Sequence, residues 1–123
     1  MKTLVQNPAP DFTATALVDG DFQTISMDQY RGQFVVLLFY PLNFTFVCPT
    51  ELIAFGARKG DFDKRNVQLL GCSTDSEYSH LAWSTTPRDK GGIEGIEFPL
   101  IADVTREIAR QYRVLIDEGI ALR

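Results

Sequence analysis

Phe34-Val35-Val36-Leu37-Leu38-Phe39-Tyr40, followed by Pro41-Leu42-Asn43-Phe44-Thr45-Phe46-Val47-Cys48-Pro49-Thr50-Glu51, decides how this chain of 123 residues is built. The first seven residues are apolar without alternation, which predicts a strand buried on both faces, as at the centre of a parallel sheet. Beyond the turn residues, Leu52, Phe55, Lys59 and Phe62 recur at helical spacing, so a helix is expected from Pro49 to about Lys64. Cys48 continues that stripe one turn earlier and should face the sheet. It stands at the N-cap or in the first turn, where unpaired N–H groups and the positive end of the helix dipole favour a thiolate. Proline directly after it suits the first helical position, where a missing N–H costs nothing.

On the N-terminal side, Pro8 and Pro10 impose an extended entry, and Phe12 to Val18 reads as a short strand. Asp19-Gly20 is a turn signal before a second strand around Phe22 to Ile25, so a terminal hairpin is expected. Ser26 to Tyr30 suits a helical turn before Gly32. On the C-terminal side, Val67 to Cys72 is the next strand, and Ser76 caps a helix to about Ser84 that Pro87 ends. Arg88 to Gly95 is a charged loop rich in glycine. Phe98 to Ala102 resumes an extended core segment, and Asp103 or Thr105 caps a helix to about Tyr112. A hairpin followed by strand and helix in alternation predicts an α/β layer fold. A strand then starts at Ile120-Ala121-Leu122-Arg123 and would be left with an unpaired edge, so a piece of a longer fold is expected.

One domain over residues 1–123 fits this length, with about two thirds of the unfolded surface buried on folding. Hydrophobic residues at 45% and charged residues at 23% are ordinary for a globular protein. A net charge of −4 argues against a nucleic-acid partner, which would want a basic stripe. No apolar run reaches the ~20 residues of a membrane span, and Met1-Lys2-Thr3 is not followed by a signal-peptide core, so the expected address is cytoplasmic. Two cysteines, Cys48 and Cys72, are too few for a disulfide scaffold, and a single histidine, His80, leaves no zinc cluster.

The reactive candidate is therefore Cys48. Thr45, three residues earlier, can offer a hydroxyl to the sulfur or to a small polar substrate. Glu51 opposes a second negative charge nearby, so a cation must stand close if the thiol is acidic, and guanidinium suits a dry site better than ammonium. Which arginine does so is not legible from spacing. Cys48-Pro49-Thr50-Glu51 has no second cysteine where a dithiol motif needs one. A cysteine hydrolase would need a histidine base, and His80 reads as a solvated histidine of the Glu77 to Ser84 helix. A reaction of one thiolate without a general base remains, and attack on a peroxide O–O bond fits it.

Pro41-x-x-x-Thr45-x-x-Cys48 with Pro49-Thr50-Glu51 resembles the active-site signature of peroxiredoxins, in the typical two-cysteine branch of alkyl hydroperoxide reductase C and thioredoxin peroxidase. The resemblance covers almost the whole chain. Asn7 to Phe12, Ser73 to Ser76, His80-Leu81-Ala82-Trp83, Thr86-Pro87, Gly91-Gly92, Phe98 to Asp103 and Asp117-Glu118-Gly119 fall in register with it. It implies a thioredoxin-like fold with the N-terminal β-hairpin, and a thiol peroxidase that reduces hydrogen peroxide and organic hydroperoxides through a cysteine sulfenic acid. It implies Cys48 as peroxidatic cysteine, Thr45 as the hydroxyl that bonds thiolate and peroxide, Pro41 as the residue that shapes the pocket, and Arg123 as the catalytic cation. No metal, haem or flavin is implied. The partners implied are a thiol reductant, such as thioredoxin or a dedicated reductase, and further copies in a homodimer or decamer.

Two departures stand out. The family's resolving cysteine and pairing strand belong to a C-terminal segment absent from this sequence, and Gly91-Gly92-Ile93-Glu94 has Glu where the oxidation-sensitive version has Gly, which weakly favours a robust enzyme. Blander readings stand beside these: Cys48 as a structural thiol, Thr45 as a turn hydroxyl, Glu51 as a first-turn acid, and Arg123 as a solvated residue. Cys72 reads as core filler, Trp83 as a core or oligomer contact. An oligomeric holdase presenting Phe44, Phe46 and Trp83 is the alternative from another functional class.

Overall fold

A computed structural model describes residues 3–45, 47–117 and 119–122. The hairpin forms as its turn demands. Strands β1 (Thr13–Val18) and β2 (Asp21–Ser26) pair antiparallel, with Asp19 and Gly20 both at positive φ between them. A 3₁₀ turn at Met27–Tyr30 follows, its Ser26 backbone N–H donating to the Gln29 side chain. Then come β3 (Phe34–Phe39), α1 (Cys48–Ala57), α2 (Lys59–Lys64), β4 (Val67–Ser73), α3 (Glu77–Thr85), β5 (Leu100–Ala102) and α4 (Glu107–Gln111).

Among the described residues the strands form one sheet in the order β2-β1-β5-β4-β3. The strands β3, β4 and β5 run parallel, and β1 joins β5 antiparallel through Ala16 and Leu17. Alternation along β4 divides the core: Leu70 and Cys72 pack on one face with Phe39, Ile101 and α4, while Leu69 packs on the other with Tyr40, Cys48, Leu52 and Trp83.

Four expectations need correction or refinement. The strand expected at the sheet centre is parallel as expected and, among the described residues, stands at the end of the sheet order, with Phe34 77% exposed. Its lack of alternation has the expected cause, apolar contact on both faces: Val35 and Leu37 face one core cluster, Val36 and Leu38 the other, each only partly buried. The single helix expected to Lys64 is broken at Arg58 (φ −101°, ψ 6°). Gly56 and Gly60 weaken it there, and Gly56 leaves room for Ile96, whose Cδ1 would sit 2.9 Å from a Cβ. Asp103 does cap α4, but at a distance, accepting from the Ile108 and Ala109 N–H groups at 3.1 and 2.8 Å. The strand expected from Ile120 is the returning arm of a small hairpin, in which Leu115 bridges Ala121 and Gly119 turns at φ 86°.

Candidate active site

The segment from Tyr40 to Cys48 leaves the sheet, turns outside and comes back. Tyr40 N–H still donates to the Cys72 carbonyl of β4 at 3.1 Å. Pro41 follows at a half-buried bend, where it cannot continue the strand ladder. Phe44 takes φ 58°, a left-handed conformation that bulky L-residues avoid, and its ring reaches Trp83 at 6.0 Å between centroids. Thr45 is half-buried, and its hydroxyl donates to the Leu42 carbonyl at 3.2 Å.

Cys48 is the first residue of α1, one place earlier than a proline-led helix implies, with Val47 as N-cap and Pro49 second. It is fully buried, as the stripe shared with Leu52 predicts. The helix start is tighter than an open cradle of free amides. Thr50 and Glu51 N–H both converge on the Val47 carbonyl, at 3.1 and 3.3 Å, and the Thr50 hydroxyl donates there as well.

His80 is the main surprise. The solvated histidine expected of α3 is instead fully buried. Its Nε2 faces the Ile101 carbonyl at 2.9 Å, and its Nδ1 faces Asn43 Nδ2 at 2.9 Å and the Tyr40 hydroxyl at 3.3 Å. A carbonyl only accepts, so Nε2 carries the hydrogen. Burial pushes the imidazole pKa down against the weaker pull of Asp75 and Glu77, so the ring is neutral and Nδ1 accepts. The Tyr40 hydroxyl donates to Asn43 Oδ1 at 2.8 Å, and burial holds this phenol well above its ordinary pKa. Asn43 closes the set: its backbone N–H meets Asp75 Oδ2 at 2.6 Å and its amide also donates to Ser79 Oγ at 3.0 Å. Sequence reading passed over Asn43, Asp75 and Tyr40. The available signal was the polar stripe Asp75, Ser76, Ser79 and His80, which points one side of α3 at this loop.

Of the four residues singled out, Pro41, Thr45 and Cys48 lie on one continuous loop and helix start. Arg123 lies outside the described residues, as do Phe46 and Glu118. Among the described residues no cluster of His, Cys, Asp or Glu could hold a metal, and no helix is long and apolar enough to cross a membrane. Neither cysteine is in a disulfide, and they pack on opposite faces of the sheet.

The profile of the AhpC/TSA family matches residues 5–123. The chain belongs to the AhpC/TSA family. It is 53% identical over 124 residues to thioredoxin peroxidase of Echinococcus granulosus, covering 100% of this chain and 64% of that one. It is 56% identical over 120 residues to peroxiredoxin-2 of Cricetulus griseus, covering 97% and 61%. The structure of reduced Plasmodium vivax 2-Cys peroxiredoxin superposes with a TM-score of 0.97 at 47% identity, covering 99% of this chain and 64% of that one. This AhpC/TSA chain thus has the thioredoxin-like peroxiredoxin fold and spans less than two thirds of the length of these three proteins.

Proposed function

We propose that the chain carries the reacting centre of a thiol-dependent peroxidase acting on hydrogen peroxide and organic hydroperoxides, in antioxidant defence and redox homeostasis. The observation that carries this reading is the placement of Cys48, the leading residue of a helix, at the end of a loop bent back into the core. Thiolate Cys48 attacks one peroxide oxygen; an S–O bond forms as the O–O bond breaks, and the departing alkoxide or hydroxide takes a proton to give an alcohol or water. Sulfur is oxidised to sulfenic acid and the peroxide reduced, with no metal, haem or flavin in the step. Thr45, once its hydroxyl leaves the Leu42 carbonyl, and Arg123 hold the peroxide and offset charge on the leaving oxygen, while Pro41 shapes the approach. Residues 1–123 act as one domain. A thiol reductant such as thioredoxin or a dedicated reductase restores the thiol, and the cytoplasmic protein works as a homodimer or decamer.

Stopped-flow mixing with hydrogen peroxide tests this. Cys48→Ser should abolish fast peroxide consumption, and retained turnover would end the assignment. The holdase alternative draws on the exposed Leu42, Phe44 and Val47 and loses Trp83, which is fully buried. Suppression of client aggregation that survives Cys48→Ser would favour it.

A further inference from the structure

We infer that His80 is a positioning residue for the Cys48 loop: its Nδ1 locks the Asn43 amide, and Asn43 fixes the left-handed turn at Phe44 from which Thr45 and Cys48 return to the core. This rests on reading Cys48 as the reacting thiol.

The geometry is that of a pin. Asn43 reaches three separate parts of the molecule: Tyr40 just after β3, Asp75 in the turn after β4, and Ser79 with His80 on α3. His80 transmits the position of β5 to that pin through the Ile101 carbonyl. The next residue, Phe44, holds a backbone conformation that persists only where its surroundings over-determine it. Phe44 is more than half exposed, so packing of its ring alone does not hold it, and the buried network beside it does. The groups facing His80 are the Tyr40 phenol just after β3, the Asn43 amide from the loop, the Ile101 carbonyl from β5, and the charges of Asp75 and of Glu77 on its own helix.

A pair of substitutions separates the two ring nitrogens. His80→Gln keeps a donor near Nε2 for Ile101 and offers Asn43 no acceptor; His80→Asn keeps an acceptor near Nδ1 and gives up the contact to Ile101. With similar melting temperatures, peroxide oxidation of Cys48 should fall about tenfold in His80→Gln and stay within about twofold in His80→Asn. Amide exchange at Thr45 and Val47 should quicken in His80→Gln only. Asn43→Ala changes no residue of α3 and keeps the His80 contact to Ile101, so it decides the matter if either His80 variant fails to fold; it should follow His80→Gln in both readouts. Equal losses in the two His80 variants, or no change in His80→Gln and Asn43→Ala, would overturn the inference. A wild-type chain inert to peroxide would instead remove the peroxidase reading, and the exchange rates would still test the pin.

Discussion

Cys48 and Cys72 have the same accessible surface, none, and opposite settings. Cys72 lies inside β4, a strand paired on both sides, and its carbonyl accepts from Tyr40. Burial, aided by the charge of Asp103, drives its thiol far above the ordinary range, so it stays protonated. Cys48 lies on the opposite face, at the head of α1, in the cluster of Tyr40, Leu52, Leu69 and Trp83, and follows a loop that includes a left-handed phenylalanine. Zero exposure therefore describes two different things. One thiol sits inside a strand hydrogen-bonded on both sides, the other at the start of a helix that follows a loop outside the sheet.

The largest effect should come from the sheet side. Leu70→Ala, on the same face as Cys72, opens a cavity beside a strand paired on both sides and should cost about 2–5 kcal/mol in urea unfolding. Peroxide oxidation of Cys48 should hardly change in that variant under conditions where it remains folded. A parallel fall in both quantities would dissolve the distinction between the two faces.

An effect of intermediate size should appear on the loop side in acid. The folded pKa of His80 lies below its unfolded value, so as pH drops below about 6.5 the unfolded chain takes the proton first and stability is lost. The loss continues until the folded ring protonates, at no more than about 1.4 kcal/mol per pH unit. Melts of the wild type and His80→Asn at pH 7.5 and 5.5 isolate it, because the other titrating groups are common to both. An identical pH dependence would show that the ring titrates alike folded and unfolded. The smallest effect belongs to Cys72→Ser, which should leave the first oxidation within about twofold; a larger drop in stopped-flow rate would bring the sheet thiol into the chemistry.

Local chemistry made much of this legible in advance. Asp19-Gly20 announces the hairpin, Ser76 caps α3 by accepting from Ser79, and the spacing of Cys48 and Leu52 announces a buried thiol. What escaped depends on partners far away in the chain. An apolar run shows that β3 meets two layers but carries no record of lateral order, which is settled by pairing with β4 more than thirty residues later. His80 is polar and lies on a helix, so its own neighbourhood implies solvent; the groups that satisfy it in the core, Tyr40, Asn43 and Ile101, are all remote in sequence. The Asp103 cap spans five and six residues, outside the window of ordinary capping motifs.

A sulfur atom without accessible surface also sorts its visitors by size. Reagents that slip in during brief breathing react in proportion to their concentration. Bulkier ones wait for the cover to lift, and their rate levels off at the frequency of that motion however much is added. With Cys48 as the proposed reacting thiol, closed packing of this kind sets the order in which oxidants of different size should reach it.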